Sequence, residues 1–192
     1  MKTVFFDIDT QLDFVSPAGA LYVPGAETLI PRIAELNRRG AETGVVISTT
    51  DAHAESDPEF RDWPPHCVAG TLGQRKPEEL LRPDRIVVPT SPGSYDCAGA
   101  RQVILEKQQL DCFTNPNLAA LLERLNADRY VVYGVVTEYC VRCASMGLLK
   151  TGKPVTLVTD AIQTLSPEAG HRTIDAFVQA GGLLAACASL ES

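Results

Sequence analysis

Short runs of apolar, β-branched residues alternate along the chain with stretches in which apolar positions recur every three to four residues. The runs predict strands over 3–8, 44–49, 85–88, 102–105, 129–136, 155–158 and 183–187. The helical spacing predicts helices over 26–39, 115–126, 138–150 and 167–180. Strands that are apolar throughout are buried on both faces, and strands interleaved with helices are joined by crossovers. The order therefore predicts an α/β fold of three α/β/α layers around a mostly parallel central sheet, Rossmann-like in architecture. No repeat, linker or low-complexity segment divides the chain, so residues 1–192 are expected to form one domain. The stretch from Asp51 to Lys76 breaks the pattern. It is irregular and rich in Pro, Asp and His, and connections of that length are usually functional.

A chain of 192 residues that is 45% hydrophobic and 21% charged can bury a proper core. Its net charge of -7, with no basic patch or basic helix, argues against nucleic acid or an anionic membrane as partner. A small-molecule substrate is expected. The first apolar run already meets Asp7, too soon for a secretory leader, and no segment reaches membrane-spanning length, so a cytoplasmic location is expected. Six cysteines lie scattered without a framework pattern, and in a reducing compartment they should remain free thiols.

The most informative segment runs from Tyr130 to Val141, a buried strand that turns into a helix with a cysteine in its first turn. With Thr137 as cap, Cys140 would face unpaired backbone N–H groups and the positive end of the helix dipole, which should depress its pKa and make it a nucleophile. Two other readings stand beside this one. Cysteine is often a small buried hydrophobe, and Cys140-Val141-Arg142-Cys143 is a Cys-x-x-Cys that would suit a dithiol redox or metal-binding module. In parallel sheets, ligands bind beyond the carboxyl ends of the strands. The polar residues there are Asp9, Asp51, His53, Lys107, Thr137, Cys140 and Asp160, which together supply a base, a cation, a thiol and metal-ligating groups.

Over nearly its whole length the chain resembles the nicotinamidase branch of the isochorismatase-like cysteine hydrolases. Residues 9–14, Asp-Thr-Gln-Leu-Asp-Phe, resemble the family's Asp-x-Gln-x-Asp-Phe opening; Lys107 with Asp111-Cys112-Phe113 resembles its lysine motif; residues 134–141 resemble Gly-x-x-Thr-x-x-Cys-Val. The resemblance implies a triad in which Asp9 is base and then acid, Lys107 holds the charge and Cys140 attacks. It also implies an oxyanion hole from the backbone N–H groups of Val136 and Cys140, and a cis peptide joining Val135 and Val136. Asp51-Ala52-His53, Glu59 and Trp63-Pro64-Pro65-His66-Cys67 hold two of the three histidines and resemble the branch's metal cluster. Asp51, His53, His66 and Glu59 would then bind one divalent ion, Zn²⁺ ahead of Mn²⁺ or Fe²⁺. Many relatives carry histidine where Glu59 aligns, so Glu59 would ligate directly or through water. Phe14 and Trp63 match aromatic positions that sandwich a pyridine ring, Tyr139 would line the entrance, and Leu21, Gly19 and Gly25 lie in a loop expected to border the pocket. The implied activity is hydrolysis of nicotinamide to nicotinate and ammonia through a thioester on Cys140, a step of NAD salvage, in a homo-oligomer. Another amide or carbamoyl substrate is the alternative within the family. The 89–97 segment reads as a lid or an interface insert.

Overall fold

The computed structural model describes residues 1–190. Seven strands, β1 (Thr3–Ile8), β2 (Val45–Asp51), β3 (Arg85–Val88), β4 (Gln102–Lys107), β5 (Arg129–Val135), β6 (Val155–Gln163) and β7 (Leu183–Ala185), form one sheet in the order β3-β4-β2-β1-β5-β6-β7. Every neighbouring pair is parallel. The principal helices are α1 (Leu12–Val15), α2 (Ile30–Thr43), α3 (Leu118–Leu125), α4 (Arg142–Leu149) and α5 (Pro167–Gln179). Alternation along β1 sends Val4, Phe6 and Ile8 into one apolar cluster with Leu118 and Leu121 of α3, Leu148 of α4 and Phe177 of α5. Phe5 joins a second cluster with Ile33 and Leu36 of α2. The two clusters are the layers that bury both sheet faces. Among the described residues, no helix is long and apolar enough to cross a membrane.

The predicted elements occur in the predicted order; α1 and several short 3₁₀ turns are additional, and the other differences lie at element ends. Strand β2 continues to Asp51 and β4 to Lys107, so both charged side chains stand on the last residue of a strand and not in the loop after it. Their register pairs Asp51 with Lys107 directly. Strand β6 runs five residues past its predicted end at Val158, placing Asp160 inside the strand, because a register shift against β5 between Val132 and Gly134 lets the pairing resume. The helix predicted from Ala26 begins as a 3₁₀ turn over Ala26–Leu29 before α2, and the one predicted over 115–126 is shortened to α3 and closed by Asn126 in the left-handed region. The helix predicted from Glu138 begins as a π turn over Thr137–Val141, followed by α4.

Thr137 does not cap that helix: its hydroxyl donates to the Gln163 carbonyl, which ties the turn to the end of β6. Segment 89–97 is fastened to the start of α3, where Asn117 accepts from the Gly93 N–H and donates to the carbonyls of Pro89 and Ser91.

Gly134 is the one position in β5 where backbone approach dictates the residue. It sits at φ 119°, and a Cβ there would lie 2.1 Å from the Ile8 carbonyl oxygen. Gly134→Ala is therefore expected to cost about 3 kcal/mol or more, because both the left-handed φ and the backbone clash oppose it. Urea unfolding of the two proteins measures this; a change under about 1 kcal/mol would contradict the close approach.

Candidate active site

The carboxyl ends of β1, β2, β4 and β5 converge on one cavity. Asp9 follows β1 at φ 47°, an unusual conformation for a non-glycine residue. Thr49, overlooked in the sequence, holds it twice: its hydroxyl donates to the Asp9 carboxylate at 2.6 Å and accepts from the Asp9 N–H at 3.1 Å. Lys107 Nζ reaches three groups from its place at the end of β4. It is 2.8 Å from Asp9 Oδ2, 2.5 Å from Asp51 Oδ1 and 3.7 Å from Cys140 Sγ. Lys107, Asp9 and Cys140 are all buried, and Asp9 and Cys140 line the cavity. Cys143, the other half of the Cys-x-x-Cys, does not line this cavity, and both thiols are free.

Burial is the largest influence on each of these groups, and neighbouring charges override it at Asp9 and Lys107. It opposes ionisation of Asp9, yet the charge and hydrogen bond of Lys107, helped by Thr49 and Cys140, hold the Asp9 carboxyl below its usual range. Burial also opposes the charge on Lys107, but the carboxylates of Asp51 and Asp9 keep the ammonium protonated well above its ordinary pKa. The Asp51 carboxyl is pushed up to about 6, since burial and the neighbouring Asp9 outweigh Lys107. The expected depression of the Cys140 pKa is overturned. Burial drives that thiol well above its ordinary value, and Asp9 and Asp51 add to the effect while Lys107 only partly opposes it. The turn that carries Cys140 is a π turn running into α4 and not the start of a regular α-helix.

Beside this trio, single ligand atoms of Asp51, His53 and His66 lie within 4.8 Å of one another, and all three residues are buried. A parallel bridge between His53 and Val68 folds the two histidine segments together, and the rings meet edge to face with centroids 4.9 Å apart. His66 Nδ1 donates to the Pro64 carbonyl at 2.8 Å, and His53 Nδ1 lies 3.0 Å from an Asp57 carboxylate oxygen. Each Nε2 lone pair is thus left for another partner. Among the described residues His53 Nε2 is buried with no hydrogen-bond partner, which is costly unless something else coordinates it. Glu59 stands at the edge of this group. Its carboxylate is 3.9 Å from His66 Nε2, and its own metal-sized cluster is with His53 and Asp57. Asp57 was missed in the sequence; a carboxylate four residues after His53 was the available signal.

Phe14, Trp63 and Tyr139 line the cavity, with Trp63 and Tyr139 in edge contact at 5.7 Å. Leu21 also lines it, whereas Gly19 and Gly25 do not. Val136 contributes to the wall, and the peptide joining it to Val135 is cis. Asp160 is remote from these groups. Its carboxylate accepts from the Cys187 N–H and pairs with Arg32 at 3.4 Å.

Residues 3–189 match the family model described as Isochorismatase domain. The chain is 27% identical over 168 residues to a nicotinamidase/pyrazinamidase of Mycobacterium tuberculosis, covering 84% of this chain and 86% of that one. It is 24% identical over 198 residues to a nicotinamidase of Saccharomyces cerevisiae, covering 88% and 90%. Among solved structures, pyrazinamidase of Pyrococcus horikoshii in complex with zinc superposes with a TM-score of 0.80 at 28% identity, over 97% of this chain and 99% of that one.

Proposed function

The chain belongs to the isochorismatase domain family and is a hydrolase of amide C–N bonds, and from that premise we propose that it hydrolyses nicotinamide to nicotinate and ammonia. The observation that carries the reading is the position of Lys107 Nζ. It contacts both Asp9 and Cys140 at the floor of a cavity whose wall holds Asp51, His66, Phe14 and Trp63.

In this reading Asp9 takes the Cys140 proton as the sulfur attacks the carboxamide carbon, and Lys107 balances the negative charge that passes between them. The backbone N–H groups of Val136 and Cys140 receive the tetrahedral oxyanion. Asp9 then returns its proton to the departing nitrogen, and ammonia leaves a thioester on Cys140. Water, deprotonated by Asp9, cleaves the thioester and restores the thiol. Phe14 and Trp63 hold a flat heteroaromatic ring between apolar surfaces.

The orphaned His53 Nε2 and the mixed imidazole and carboxylate donors fit a divalent ion. Asp51, His53 and His66 would hold it, with Glu59 as an outer partner reaching it directly or through water. Zinc is favoured over manganese or iron by this donor set and by its presence in the Pyrococcus relative. When bound, such an ion supplies a Lewis-acid anchor for the pyridine nitrogen.

The test is ammonia and nicotinate release from nicotinamide by the zinc-loaded protein. Equal amounts of both products are expected. Chelation of the metal is expected to raise KM about 10-fold or more, equivalent to about 1.4 kcal/mol of lost binding, with a smaller change in kcat. No product from metal-loaded protein would reject nicotinamide and direct the assay to other carboxamides and carbamoyl compounds.

A further inference from the structure

We infer that Gln11 and Asp13 are positioning residues that clamp the proposed metal ligands to the loop carrying Asp9. This rests on the reading of Asp51, His53 and His66 as metal ligands. Strand β1 ends at Ile8 while its neighbour β2 continues to Asp51, which leaves the last residue of β2 without a strand partner on that side. The Gln11 side chain takes the place of the missing strand. Its Oε1 accepts from the Asp51 N–H at 2.6 Å and its Nε2 donates to the Asp51 carbonyl at 2.9 Å, as a neighbouring peptide would. The same Nε2 donates to the Gln74 carbonyl at 2.8 Å, and Gln11 is fully buried. Asp51 is therefore gripped from both sides, by β4 through its register with Lys107 and by Gln11.

Asp13 does the corresponding work at His66. Its Oδ2 accepts from the Cys67 N–H at 2.7 Å, and its Oδ1 from the Ala20 N–H at 3.0 Å. Cys67 sits at φ 47°, a conformation that its side chain disfavours and that the hydrogen bond from its N–H helps to hold. The residue beside His66 is thus fixed by a carboxylate four positions after Asp9. The backbone of the clamp is anchored as well, since Leu12 N–H donates to the Arg75 carbonyl and Asp13 N–H to the Gly73 carbonyl. One five-residue segment, 9–13, therefore carries the proposed base and sets the spacing of two proposed ligands. Partners outside a metal's immediate ligands change affinity by about 10–100-fold when removed.

The experiment compares Gln11→Leu and Asp13→Asn with Tyr133→Phe. Tyr133 serves as the control because its hydroxyl donates to Asn37 at 2.7 Å in an equally buried polar network that touches none of the ligands. Zinc dissociation constants are measured by chelator competition, and amide hydrogen exchange is followed at Asp51 and Cys67 in the metal-free proteins. Gln11→Leu is expected to weaken zinc binding about 10-fold or more and to speed exchange at Asp51. Asp13→Asn is expected to do the same for zinc and for Cys67, while Tyr133→Phe leaves the zinc constant within about twofold. Wild-type affinity retained in both clamp variants would overturn the clamp and leave the metal reading standing. Should Tyr133→Phe weaken zinc equally, the effect is general loosening and the clamp is likewise overturned. Wild-type protein that takes up no zinc would instead reject the metal reading on which the clamp depends.

Discussion

Replacing Cys140 by alanine is expected to lower the rate of ammonia release from nicotinamide by about 10⁵-fold or more while leaving nicotinamide affinity within a few-fold. The sulfur is the attacking atom in the proposed reaction, and none of the other groups around the cavity can replace it as nucleophile. Asp9 and Lys107 are committed to each other at 2.8 Å. The size of the effect follows from the proton, too. The resting thiol is neutral, because burial and the carboxylates of Asp9 and Asp51 push its pKa up, while Asp9 itself is held in its ionised form by Lys107. Proton transfer from sulfur to Asp9 therefore runs uphill until substrate supplies a carbonyl carbon to take the negative charge. Two measurements check this. Single-turnover assays should show no fast phase in the alanine variant, and an alkylating reagent should modify Cys140 of the free wild-type protein no faster than an ordinary buried thiol. Rapid alkylation near neutral pH would mean that the thiolate is already present at rest.

That proton balance marks the border of what could be read from the chain. Strands β1 and β5 were legible because consecutive apolar residues dominate them, as in strands covered on both faces. The ends of β2, β4 and β6 were not, since Asp51, Lys107 and Asp160 are residues that solvent usually claims. Asp51 and Lys107 are strand residues only because they face each other across the register, a relation between positions 56 apart in the sequence. A comparable separation hides Thr49 and Gln11, whose importance lies in what they touch 40 residues away. The Cys140 pKa was misjudged for a related reason. A helix start raises local positive potential by its sequence neighbours alone, but burial and the two carboxylates arrive from other strands. The motifs pointed to Asp9, Lys107 and Cys140, which the fold brings together; the sign of the electrostatics needed the fold.

Lys107→Met is the change with the broadest consequence, because one ammonium balances two buried carboxylates and also touches the Cys140 thiol. Methionine fills the same space and removes the charge. Leaving buried carboxylates without their cation is expected to cost about 3–5 kcal/mol of stability at pH 8, and kcat is expected to fall by about 10⁴-fold as the transferred charge loses its partner. The pH dependence carries the sharper test. Asp51 already has its carboxyl pushed up to about 6 with Lys107 present, and loss of the cation can only push it higher. A group whose pKa is higher in the folded chain than in the unfolded one binds more protons when folded, so stability falls as pH rises through that interval. Below about pH 4 the unfolded and folded forms are both protonated and the deficit of the variant should be smallest; it should grow from there to beyond pH 6. Urea unfolding of the metal-free wild-type and variant proteins at pH 5 and pH 8 measures it. A deficit that is equal at the two pH values, or larger at pH 5, would mean that Lys107 stabilises the chain by packing its aliphatic stem and not by balancing Asp9 and Asp51.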